Sequence, residues 1–173
     1  PDQVNLLSDA WAFVQEGRQP LSFYTDLVDR LPASTALAVR EQIINAFNSI
    51  DHLLVGTAEQ ETFRRYARGV LRPTLDALGL QPKAEEPVTA SLLRASLVQQ
   101  LGLFGDEDVI KTCRQNFDNY LKNPGSIPPD LRAPTFAIVM RYGDATIWQK
   151  LHELGLKTAS TEDKQYYYDA LAF

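Results

Sequence analysis

The chain has 173 residues, 45% apolar and 23% charged, with 17 basic against 22 acidic side chains and a formal net charge of -5. That length supports one domain with a real core, or two small subdomains, and the composition is that of a globular protein rather than a disordered one. The acidic balance argues against a nucleic-acid module, and no apolar run approaches the roughly 20 residues of a membrane helix, so neither partner is expected.

Helical spacing dominates, with no alternating strand or Asn-Gly hairpin signal. A first helix holds Leu6, Leu7, Ala10, Trp11 and Val14 and stops at Gly17. A second starts near Pro20 and carries Phe23, Tyr24, Leu27, Val28 and Leu31. A third begins after Pro32, with Ser34 as N-cap, and places Ile43, Phe47, Ile50 and Leu54 on one face. The clearest runs from about Ala58 to Leu78, with Phe63, Tyr66, Ala67, Val70, Leu71, Thr74, Leu75 and Leu78 at i, i+3, i+4, i+7 spacing. Thr57 and Gln60 read as its capping box and Gly79 as its stop, while Pro73 is expected to kink it without ending it.

Residues 81–87, charged, aperiodic and bounded by prolines, read as a surface connection between a first helical group (1–80) and a second (88–173). Each junction of the second group couples a breaker to an acidic or proline-led first turn. These are Gly105-Asp106-Glu107-Asp108, Ile127-Pro128-Pro129-Asp130, Gly143-Asp144 and Ser160-Thr161-Glu162-Asp163. Short helices recurring in pairs about 40 residues apart predict an all-α fold, an α-solenoid of HEAT-like antiparallel helix pairs. The chain begins at Pro1, ends on an apolar helix with Tyr166, Tyr167, Tyr168, Leu171 and Phe173, and so reads as a piece of a longer array. No signal-peptide pattern is present, and the localisation stays unassigned.

Chemistry is hard to find. His52 and His152 stand far apart without a second His at i+4, so no metal site is expected. Cys113, the single cysteine, sits in the apolar series Val109, Ile110, Cys113, Phe117 and reads as a buried structural thiol. There is no Gly-x-Ser-x-Gly elbow, and Asp106, Glu107, Asp108, Glu162 and Asp163 fall in helix first turns, where the helix dipole accounts for them. Arg65, Arg68 and Arg72, with Arg64 beside them, share a helix; they read as a solvated face paired with acids, or as a patch that meets a carboxylate. Trp11, Trp148, Tyr142 and the tyrosine run read mostly as core, with at least one of Tyr166, Tyr167 and Tyr168 exposed. No catalytic residue is expected, and no peptide-binding residue can be assigned.

The motifs taken together resemble a known domain. Asn5-Leu6-Leu7-Ser8-Asp9-Ala10-Trp11-Ala12-Phe13-Val14 followed by Gly17 resembles the opening of the C-terminal helical domain of zinc metallo-aminopeptidases of the aminopeptidase-N type. Arg72-Pro73, Leu78-Gly79, Leu93-Arg94, Gly105-Asp106, Cys113, Phe117, Ile127-Pro128-Pro129-Asp130-Leu131-Arg132, Trp148 and Asp169-Ala170-Leu171 then follow in the family's order. Leu80 departs from it, since relatives often carry Trp after the Leu-Gly pair.

The resemblance implies a superhelical bowl, truncated at its C-terminus, that encloses the active-site chamber, limits substrate size and contacts the distal part of a peptide. Its partners would be the catalytic domain of the parent chain and the peptide substrate. Zinc, the H-E-x-x-H site and the G-x-M-E-N motif belong in the family to that catalytic domain, and neither motif occurs here. The alternative is a free-standing helical-repeat scaffold that binds a partner protein.

Overall fold

A computed structural model describes residues 2–31 and 36–172. The N-cap expected at Ser34 and the terminal aromatic Phe173 lie outside the described residues. Every regular element among those described is helical: α1 Asp2–Gln15, α2 Leu21–Arg30, α3 Leu37–Leu53, α4 Gln60–Leu78, α5 Val88–Leu103, α6 Glu107–Lys122, α7 Pro129–Arg141, α8 Ala145–Lys157 and α9 Thr161–Ala170, with one 3-10 turn at Pro124–Ser126. The fold is all-α, as the periodicity predicts. It divides into two compact units, Pro1–Leu97 and Val98–Phe173, and the division falls inside α5.

The helix starts follow from local chemistry. The Asp106 carboxylate accepts from the Val109 N–H at 3.1 Å, Asp144 accepts from Thr146 and Ile147 at 2.9 and 3.1 Å, and the Ser160 hydroxyl accepts from Asp163 at 3.1 Å. Each satisfies a backbone donor left open by the first turn and contributes about 0.5–2 kcal/mol. Gly79 ends α4 with φ +81°, its N–H donating to the Leu75 carbonyl at 2.7 Å. The capping box read at Thr57 and Gln60 does not form. The Thr57 hydroxyl donates back to the Leu54 carbonyl, and the Gln60 amide reaches the Asp51 carbonyl instead.

In the first unit α1 packs on α2 and α3, and α3 on α4. The α4 stripe faces inward as read, burying Phe63, Ala67, Leu71, Thr74 and Leu75, and the helix continues through Pro73. Phe63 meets Phe47 of α3 edge-on at 5.5 Å, and Trp11 of α1 meets Tyr24 of α2 at 5.4 Å.

The second unit is organised by α7. Residues 134–139 are buried without a break, so this helix has no solvent face over that stretch and must be enclosed. It contacts α6, α8 and α9. Phe136, fully buried, sits 6.0 Å from Phe117, 5.0 Å from Tyr120 and 5.2 Å from Tyr167. The hydroxyls of Tyr120 and Tyr167 bond to each other inside this aromatic cluster. Arg132 stands 6.0 Å over the Tyr120 ring and donates to the Asp163 carboxylate at 2.9 Å, tying α7 to α9. Tyr167 is buried and Tyr168 exposed, as the tyrosine run requires, but Trp148 is 43% exposed and is not core. It lies on the same side of α8 as buried Leu151 and Gly155 but at the edge of the covered strip, and stacks on His152.

Phenylalanine substitutions test the hydroxyl pair. Tyr167→Phe strands the Tyr120 hydroxyl in the core and should lower stability in urea denaturation by about 1–3 kcal/mol. Tyr120→Phe with Tyr167→Phe should cost clearly less than the two single losses combined, because no orphan remains. Additive losses would mean that the two hydroxyls do not depend on each other.

Candidate functional site

The residues that sequence reasoning weighed for catalysis do not converge. His52 is exposed on α3 in the first unit, and His152 lies on α8 in the second, its ring stacked 4.9 Å from Trp148. Among the described residues no group of three or more His, Cys, Asp or Glu side chains is placed to hold a metal ion. Cys113 is buried on α6, and burial pushes its thiol up to about 12, against a smaller opposing pull from a hydrogen bond to Thr135. A thiol held protonated and shielded is a poor nucleophile. Asp106 and Ser160 cap helices, and Asp163 pairs with Arg132, so these acidic turns are committed to the fold.

The arginines of α4 follow the solvated-face reading. Arg64 makes a two-pronged pair with Asp51 at 2.6 and 2.8 Å, Arg68 meets Glu61 at 3.0 Å, and Arg72 meets Asp76 at 2.7 Å. Arg65 is exposed. Three of the four are therefore already engaged by carboxylates of the chain itself.

Each unit carries depressions open enough to take a ligand. In the first unit a cavity of about 450 Å³ lies between α1 and α3, lined by Trp11, Gln15, Asn48, Ser49, His52 and Leu53. In the second, two adjoining clefts of about 410 and 480 Å³ share Arg114, Asp118 and Tyr142 and run along α6 to the start of α8. Their polar groups serve the fold first. Arg114 donates to the Tyr142 carbonyl at 3.0 Å, and the Tyr142 hydroxyl donates to the Gly102 carbonyl at 3.0 Å. The Ile147 and Thr146 N–H groups hold the Asp144 carboxyl below its usual range.

One charged constellation was not legible as such. Arg94, 1% exposed within an apolar stretch of α5, donates to both Glu86 oxygens and to the Gly79 carbonyl at 2.7 Å. It fastens the 79–87 connection at both ends, to the C-terminus of α4 and to α5. The signal available in the sequence was an arginine at a core-facing position, with an acid eight residues upstream. A buried guanidinium needs such a partner, since an unpaired one is costly.

A family model described as ERAP1-like C-terminal domain matches residues 1–173. Among curated proteins the chain is 23% identical to Aminopeptidase 2 of Candida albicans, over 94% of this chain and 18% of that protein. It is 25% identical to Glutamyl aminopeptidase of Mus musculus, over 95% of this chain and 17% of that protein. Aminopeptidase M1 of Arabidopsis thaliana is 24% identical over 81% of this chain and 16% of its own length. The chain thus spans less than a fifth of the relatives it matches.

The two ionisable groups give separate tests. Hydrogen bonds from Arg94 hold the Glu86 carboxyl down to about 2. A depressed carboxylate stabilises the fold above its ordinary range and loses that contribution as pH falls through the folded value. Thermal stability of the native chain should therefore fall between about pH 4.5 and 2, and Glu86→Gln should flatten that segment while lowering stability at neutral pH. An unchanged acid profile in Glu86→Gln would exclude the pair as its source. For Cys113, labelling by a disulfide reagent at neutral pH should be at least about a hundredfold slower in the native chain than in urea. Equal rates would show the thiol to be accessible.

Proposed function

The chain belongs to the ERAP1-like C-terminal domain family, and on that premise we propose that it is the non-catalytic wall of a zinc aminopeptidase. In this reading it encloses the active-site chamber, limits the size of substrate that enters, and contacts the distal part of a bound peptide. Zinc and the hydrolytic residues belong to the catalytic domain of the parent chain, which is also its principal partner. The observation that carries the reading is the whole-chain family match together with aminopeptidase relatives that are aligned over less than a fifth of their length.

The helices support a wall built from stacked pairs. Residues 123–128, 142–144 and 158–160 connect α6, α7, α8 and α9 in turn, and connections this short favour antiparallel neighbours. Within the first unit the Arg94–Glu86 pair holds the connection from α4 to α5. Such a wall acts through shape. Binding energy gained along it, remote from the reacting bond, changes which peptides reach the transition state.

Two experiments test this. The coding frame ahead of Pro1 should contain H-E-x-x-H with a distal Glu and a G-x-M-E-N motif; a start codon close to Pro1 would make the chain a free-standing scaffold instead. Removing residues 1–173 from the parent should change the ratio of kcat/KM between short peptides and small folded substrates by about tenfold or more. An unchanged ratio in a folded, zinc-loaded parent would reject the size-limiting role.

A further inference from the structure

The α1–α3 cavity has a lining that no part of the proposed reading uses. Trp11 is half-buried, packed edge-on against Tyr24, and forms an aromatic wall. Gln15, Asn48 and His52 reach the cavity from exposed positions on α1 and α3, and their side chains make no hydrogen bond with any described residue. The Ser49 hydroxyl donates to the Asn45 carbonyl at 3.0 Å, which leaves its oxygen free to accept. Leu53, 79% exposed, forms the rim. No aspartate, glutamate, lysine or arginine lines the space.

We infer that this cavity is a binding site for a neutral hexopyranose. An ionic ligand would meet no carboxylate, ammonium or guanidinium there. A purely apolar one would leave the carboxamides and the imidazole unpaired, which costs affinity. Each carboxamide presents a donor and an acceptor side by side, and neighbouring sugar hydroxyls both donate and accept. A run of consecutive prolines offers carbonyl acceptors alone and would use only half of that inventory. The C–H face of a pyranose is the apolar surface that Trp11 and Leu53 can cover. The volume of about 450 Å³ lies within the range of ligand sites and accommodates one or two such rings. Because the site is open to water and is bounded mainly by carboxamide, hydroxyl and apolar groups, the dissociation constant should be about millimolar.

The test uses the ¹⁵N spectrum of the full 173-residue chain, titrated to about 50 mM with the methyl glycosides of glucose, mannose, galactose and N-acetylglucosamine. At least one should produce saturable shifts of the Trp11 indole N–H and of the Gln15 and Asn48 side-chain amides, with the Trp148 indole unmoved. Asn48→Ala combined with His52→Ala alters exposed, unpartnered positions of α3 and should leave the rest of the spectrum in place while weakening that binding at least about tenfold. Absence of saturation with all four sugars overturns the inference. So do shifts that persist in the double variant, or saturation of the same resonances by a proline-rich peptide and by no sugar. None of these outcomes bears on the aminopeptidase reading, which rests on other residues.

Discussion

Helices of 10 to 19 residues cannot hold themselves together in water, and the two shortest, α2 and α9, are below the length at which an isolated helix is even marginal. Everything in this chain therefore depends on each helix burying one face against a neighbour. The constraint is harshest at α7. A helix buried from 134 through 139 offers its neighbours every side, and α6, α8 and α9 are fixed by covering it. Phe136 fills the middle, and the polar groups carried into that core, the Tyr120 and Tyr167 hydroxyls, are tolerated because they satisfy each other.

The same constraint decides what the sequence could reveal. Asp106, Asp144, Ser160 and Gly79 were legible because their partners lie within four residues, where the chain's own geometry dictates the contact. Thr57 and Gln60 had the right spacing for a capping box, yet Asp51 at the end of α3 offered the Gln60 amide another acceptor. That competition arises only once α3 and α4 pack. Trp148 misled for a related reason: periodicity shows that α8 has an apolar side but not how wide a strip its neighbours cover. Leu151 and Gly155 fall inside the strip, and Trp148 falls at its edge.

The candidate sites were less legible than the fold. No spacing rule brings Trp11 and Gln15 of α1 to Asn48, Ser49 and His52 of α3, because those positions meet only through packing. Individually they are ordinary exposed polar residues beside an aromatic. Arg94 was hidden in the opposite way. A charge in an apolar stretch reads as a boundary of the buried face, whereas here the guanidinium is fully inside and Glu86 and the Leu78 and Gly79 carbonyls at the end of α4 compensate it. Such a pair contributes more to the choice of one loop path than to net stability, since desolvation offsets much of its attraction.

This division of labour bears on function. Several acids and bases are already spent on caps and internal pairs: Asp144 on backbone N–H groups, Arg64 on Asp51, Arg132 on Asp163, Arg94 on Glu86. Cys113 is kept neutral by burial. What the α1–α3 cavity offers instead is shape, an aromatic edge and uncharged carboxamides, which select a ligand by fit and release it readily. On the proposed reading, the chain's contribution to hydrolysis by a parent enzyme would lie in which molecules it allows to approach, with the bond-breaking groups held in that enzyme's catalytic domain.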